Sequence, residues 1–142
     1  MKIKLTLAIF VLASTVATSF AQAGEFVPAA GFGSQYGDLG GKFMYREDNM
    51  AVYVGAGVGG AAIGFHVAPS ARSQHVFGAQ YASASDVFDG DGLILATYDY
   101  HFSGFSGRGW TLGGGLGTAD YDGGRRDGES KTVAVFNAGY KF

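Results

Sequence analysis

Asp99, His101 and Ser103 alternate along one stretch of the chain. A carboxylate, an imidazole and a hydroxyl are the orienting group, base and nucleophile of hydrolytic acyl transfer. On an extended strand such residues share a face. They also stand ~7 Å apart, too far for direct hydrogen bonds. A relay built on them needs a residue from another strand. The plainer reading, preferred here, is a polar strand face that runs into a turn and carries no catalytic residue.

Other candidates for chemistry are as sparse. His66, His75 and His101 fall on three different predicted strands with no dedicated ligand spacing, so no metal site and no cofactor are read from them. Asp86, Asp89 and Asp91 give one loop hard-cation chemistry, but the EF-hand spacing and its closing Glu are missing. That loop reads as a solvated hairpin turn. A second loop mixes Asp120, Asp122, Asp127 and Glu129 with Arg125, Arg126 and Lys131. Its arginines suit phosphate groups of lipopolysaccharide, and a bare solvated loop is the default.

The composition narrows the class. The 142 residues contain 10 Lys+Arg, 12 Asp+Glu and no Cys. Without Cys there is no disulfide framework, thiolate metal site or thiol nucleophile. A net charge of −2 argues against a nucleic-acid partner. With 47% hydrophobic and 15% aromatic residues the chain is too apolar to be disordered.

Residues 1–23 read as a secretory signal peptide. Lys2 and Lys4 precede an apolar run from Leu5 to Ala17, and Ala21-Gln22-Ala23 fits a small-residue cleavage site. Residues 24–142 then form one domain, which holds all 25 glycines.

No apolar run after Ala23 approaches the ~18 residues of a membrane helix. The pattern is period two, in segments parted by Gly, Asp, Ser and Asn. Eight strands are predicted: Phe26–Tyr36, Gly41–Glu47, Met50–Val58, Ala61–Ala68, Gln74–Ala84, Leu93–Ser103, Trp110–Ala119 and Thr132–Phe142. In the last, Ala134, Phe136, Ala138, Tyr140 and Phe142 share an apolar face, opposite Val133, Val135, Asn137, Gly139 and Lys141. In the sixth, Ile94, Ala96, Tyr98, Tyr100 and Phe102 oppose Thr97, Asp99, His101 and Ser103. Alternation alone does not say which face is inside. A soluble sandwich hides its apolar face, whereas a membrane barrel turns it to lipid. The export signal, the aromatics at strand ends and the terminal aromatic favour the barrel.

The C-terminal run Phe136-Asn137-Ala138-Gly139-Tyr140-Lys141-Phe142 resembles the terminal strand of bacterial outer-membrane β-barrel proteins. As architecture the whole chain after Ala23 resembles the small eight-stranded barrels of the OmpA/OmpX-like kind. The resemblance implies an all-β, antiparallel, up-and-down transmembrane barrel in the cell outer membrane. It implies that Phe142, Tyr140 and Phe136 are read by the barrel-assembly machinery, with membrane lipids and lipopolysaccharide as the other partners. Lys42, Arg46, His66, Gln80, Asp99, His101, Asn137 and Lys141 would form the polar lumen network, with Lys131 as a further member. The implied role is structural, adhesive or loop-presenting, without catalysis. Two alternatives stand beside it. His101-Phe102-Ser103 is similar to the His-x-Ser pair of an outer-membrane lipid A deacylase family, although Gly104 stands where that family has Asn, and the motif lies farther from the C-terminus. The other alternative is a soluble periplasmic ligand-binding barrel.

With both termini on the periplasmic side, residues 37–40, 59–60, 85–92 and 120–131 would be outer loops. Asp48-Asn49, residues 69–73 and residues 104–109 would be periplasmic turns. The first and third outer connections are short, so one flank of the barrel is expected to lie nearly flush with the membrane.

Overall fold

The structure is a computed structural model that describes residues 24–83, 92–120 and 130–142. The signal-peptide reading, the Asp86–Asp91 loop and the Asp122–Glu129 charge cluster lie outside these residues.

Alternation of buried and exposed residues recurs along the strands, as in Leu93, Leu95, Thr97, Asp99 and His101 against Ile94, Ala96, Tyr98 and Phe102. Side chains of a pleated strand point to opposite faces, so this pattern requires a sheet with one enclosed face. The strands are β1 (Glu25–Gly33), β2 (Asp38–Glu47), β3 (Met50–Gly57), β4 (Gly60–Val67), β5 (His75–Ala82), β6 (Gly92–His101), β7 (Gly109–Asp120) and β8 (Ser130–Lys141). Each pairs antiparallel with its sequence neighbours, and β8 returns to β1 through Ala29↔Lys141 to Phe32↔Ala138. Closure leaves no unpaired edge, which an exposed apolar sheet would otherwise offer for aggregation. The fold is therefore the expected eight-stranded, antiparallel, up-and-down barrel.

The outward face is apolar around the whole circumference. Phe43, Val54, Ile63, Phe77, Leu116 and Phe136 are all more than half exposed. Among described strand side chains the outward set holds one charged residue, Glu47 at the tip of β2. Aromatics gather at the end of the barrel where the chain enters and leaves. Trp110 packs edge-on to Tyr140, which packs on Phe142, with ring centroids 5.4 and 5.3 Å apart. Phe26–Tyr45 and Tyr100–Phe102 continue this girdle.

Most boundaries differ from the sequence expectation by one to three residues, and two of the differences reshape the interior. β1 stops at Gly33, not Tyr36. Ser34–Tyr36 form a single 3-10 turn whose three residues are buried. This turn packs against β1 to β5 and β8 and reaches β6 through Gln35 and β7 through Tyr36, so it is a plug inside the barrel and not part of an outer rim. Gly33 (φ 114°) and Gly37 (φ 62°) make the inward fold possible, because side-chain-bearing residues rarely adopt those angles. The first connection is this inward turn, and residues 38–40, expected in an outer loop, belong to β2. At the other end β6 stops at His101, not Ser103. Its turn folds inward at Gly104 (φ 79°) and places Phe105, 1% exposed, across the lumen as a floor. Ala51, Ala68 and Val76 pack around that ring.

Candidate site in the barrel lumen

Between the plug and the floor the inward-facing positions carry polar residues. Lys42 comes from β2, His66 from β4, Gln80 from β5, Asp99 and His101 from β6, and Asn137 and Lys141 from β8; all are buried. Arg46 lies nearer the floor, 8% exposed. Lys131, the further candidate, is exposed near the other rim. A buried charge without a partner costs several kcal/mol, so these groups are expected to pair. They do so in two tiers.

The tier beside the plug centres on Gln35. Its Nε2 donates to Asp99 Oδ2 at 2.8 Å, and its Oε1 accepts from Lys42 Nζ. One neutral amide thus links a cation on β2 to an anion on β6. The Lys42 ammonium also lies 4.8 Å from the centre of the Tyr36 ring and 4.9 Å from that of Tyr53. Such cation–π contacts replace water around a desolvated ammonium. Asp99 Oδ2 is 3.3 Å from His66 Nε2, without hydrogen-bond geometry. Tyr53 Oη donates to Gln80 Oε1 at 2.9 Å, and Gln80 Nε2 donates to Ser34 Oγ at 2.7 Å. Asn137 Oδ1 accepts from Ser34 Oγ and from the Gln35 backbone N–H.

The tier beside the floor centres on Lys141. Its Nζ is 2.9 Å from His101 Nδ1 and also donates to the carbonyls of Gly104 and Phe105. Arg46 Nη1 donates to the same Phe105 carbonyl at 2.7 Å, and Arg46 Nη2 pairs with Glu25 at 2.6 Å. His101 stacks on Phe105 with centroids 5.8 Å apart. Between the tiers, the His66 and His101 rings lie 6.2 Å apart.

Inward glycines make room for these groups. A Cβ on Gly113 would stand 2.1 Å from Asp99 Oδ1, and one on Gly139 would stand 2.1 Å from Tyr36 Oη. A Cβ on Gly64 would meet Tyr53 Oη at 2.6 Å. Glycine thus trades strand propensity for side-chain seats.

The hydrolytic trio is not assembled. Ser103 lies beyond the end of β6, exposed in the turn, whereas His101 is 2% exposed and engaged with Lys141. Asp99 is held by Gln35 and faces His66. The expectation that Ser103 shares the lumen face with these two is corrected, because the inward fold of the turn redirects the chain after His101. His75 sits on the outer face, where its Nδ1 is 2.8 Å from Tyr98 Oη. Among the described residues no group of three or more His, Asp, Glu or Cys is placed to hold a metal ion.

Sequence reasoning missed Ser34, Gln35, Tyr36, Tyr53 and Phe105. Tyr53 was within reach, since it shares strand parity with Ala51 and Gly55, both inward. For the plug, the signal is the pair of glycines that brackets Ser34–Tyr36. Comparison with protein-family models, with curated proteins and with solved structures finds no match for this chain.

Proposed function

We propose that the protein is an integral bacterial outer-membrane barrel of the OmpA/OmpX-like architecture, non-catalytic, whose role is structural, adhesive or loop-presenting. One observation carries this reading: a mostly apolar outer face on all eight strands, in which Glu47 is the one charged residue among the described strand side chains. Large exposed apolar patches mark contact with lipid or protein, and a belt without a gap fits lipid. Strands of eight to twelve residues, tilted roughly 40°, span about 20–30 Å, which brackets the ~25 Å apolar band of such barrels. In hydrocarbon every backbone polar group needs an internal partner, which closure supplies.

In this reading Phe136, Tyr140 and Phe142 face lipid from β8 and form the strand recognised by the barrel-assembly machinery. Membrane lipids and lipopolysaccharide surround the belt. The plug, the floor and the paired lumen groups support a closed interior that stiffens the barrel and does not conduct. The engagement of His101 with Lys141, and the exposure of Ser103, support the absence of hydrolytic chemistry.

Membrane fractionation tests the reading. The protein should stay with membranes through carbonate extraction and migrate differently in gels before and after boiling. Release by carbonate with unaltered mobility would favour a soluble periplasmic barrel. Mass spectrometry of lipid A from wild-type and deletion strains checks the remaining alternative, and a difference abolished by Ser103→Ala would establish a deacylase.

A further inference from the structure

We infer that the half of the lumen next to the plug is a binding site for a small neutral primary carboxamide, and that Gln35 is its resident ligand. The side-chain amide of Gln35 is contacted at both ends by groups fixed on distant strands. Lys42 on β2 supplies the donor to its oxygen, and Asp99 on β6 supplies the acceptor for its nitrogen. The pair is selective. A carboxylate in the same place would face Asp99, and an ammonium would face Lys42. A carboxamide satisfies both with no net charge to bury.

The groups that read the amide belong to the barrel wall, and the amide belongs to a three-residue insert. Lys42 also lies against Tyr53, and Asp99 beside His66, contacts made within the wall and not through the insert. The seat of the insert is likewise wall: a Cβ on Gly55 would stand 2.0 Å from the Gln35 carbonyl oxygen, and Gly139 accommodates Tyr36. These glycines leave the insert its volume, which withdrawal of the insert would vacate. The insert is hung between Gly33 and Gly37, and Asp38 beyond it also has positive φ (72°), so the turn at each end lies at residues that absorb large dihedral changes. Its remaining ties to wall side chains are Ser34 to Asn137 and Gln80, the Gln35 N–H to Asn137, the Tyr36 ring under Lys42, and a long 3.5 Å contact from Tyr36 Oη to Thr111 Oγ1. A free carboxamide competes with a tethered one, and its apparent affinity is its intrinsic affinity reduced by the fraction of molecules with the insert out. The inference uses the barrel interior alone and holds whatever surrounds the outer face.

The test titrates propionamide into the refolded full chain in detergent and follows binding by saturation-transfer NMR. Circular dichroism and cooperative thermal unfolding certify each variant as folded, independently of any membrane assignment. Gln35→Ala should bind saturably, and wild type should need about tenfold or more propionamide for half-saturation. Propionate and propylammonium should not saturate Gln35→Ala. Adding Lys42→Met to Gln35→Ala should abolish binding. If that double variant fails to fold, Asp99→Asn in the same background serves instead and should weaken binding. No saturable binding to folded Gln35→Ala, equal half-saturation in wild type and Gln35→Ala, binding of the charged analogues, or indifference to both wall substitutions would each overturn the inference.

Discussion

Lys141 Nζ lies 2.9 Å from His101 Nδ1, across the lumen between two strands that are not neighbours in the barrel. The ammonium has only donors, so the imidazole nitrogen accepts. The residue before the terminal aromatic thus closes the floor from inside, while Tyr140 and Phe142 on either side of it form the girdle outside. A single strand end serves both surfaces because its side chains alternate.

Removing that ammonium should loosen the floor. Lys141→Met leaves His101 Nδ1 without its donor, while the carbonyls of Gly104 and Phe105 keep the Gly107 N–H and Arg46 Nη1. One unsatisfied buried acceptor costs roughly 1–3 kcal/mol, and a loss in that range is expected. The midpoint of urea unfolding of the refolded barrel measures it. An unchanged midpoint would mean that the floor is held by Arg46 and packing alone.

The outer belt can be probed with one charge. Val54 is 55% exposed and lies between Phe43 on β2 and Ile63 on β4. In lipid, Val54→Arg at mid-strand should cost about 2–4 kcal/mol, whereas the same change on a water-exposed surface is usually within about 0.5 kcal/mol. Folding into vesicles compared with wild type separates the two. Wild-type stability of the arginine variant would contradict lipid contact at that height.

Glycines of opposite parity should respond in opposite ways. Gly113→Ala drives a Cβ to within 2.1 Å of Asp99 Oδ1 and should destabilise the barrel by about 1–3 kcal/mol. Gly41→Ala points outward, where the nearest atom to the new Cβ is a carbonyl oxygen at 3.7 Å. It should be neutral or stabilise by up to about 1 kcal/mol, since alanine restricts the unfolded chain. Paired thermal unfolding curves show whether the signs differ.

Deleting Phe142 should depress the outer-membrane level of the protein out of proportion to its effect on stability. The residue is 55% exposed in the isolated barrel, so its packing contribution is modest. A large drop in assembled protein in cells, with near-normal stability after refolding in vitro, is the expected outcome. Normal levels in cells would remove the terminal strand from its role as an assembly signal.

The inside–outside division was legible because it is a period-two property. Tyr98 and Tyr140 are outward, and Asp99 and Lys141 inward, as strand parity alone requires once the polar face is taken as the lumen. Pairing order also followed from short connections between antiparallel neighbours. The interior contacts were not legible. Ser34, Gln35 and Tyr36 continue the local pattern of β1 well enough to read as strand, and the glycines that bracket them do not say to which side the chain turns.

By itself, then, the sequence determined the number of strands, their neighbours and the face each side chain takes, since these depend on spacing within a few residues. The tertiary structure alone decided that Gln35 stands between Lys42 and Asp99, that Phe105 seals the floor and that Ser103 is turned away from His101. Those outcomes depend on buried charged and polar groups finding partners across a closed lumen, between residues up to 103 positions apart as in Ser34 and Asn137. The free-energy cost of an unpaired buried charge exceeds the local preference of three residues for an extended strand, so the lumen pulls the chain inward.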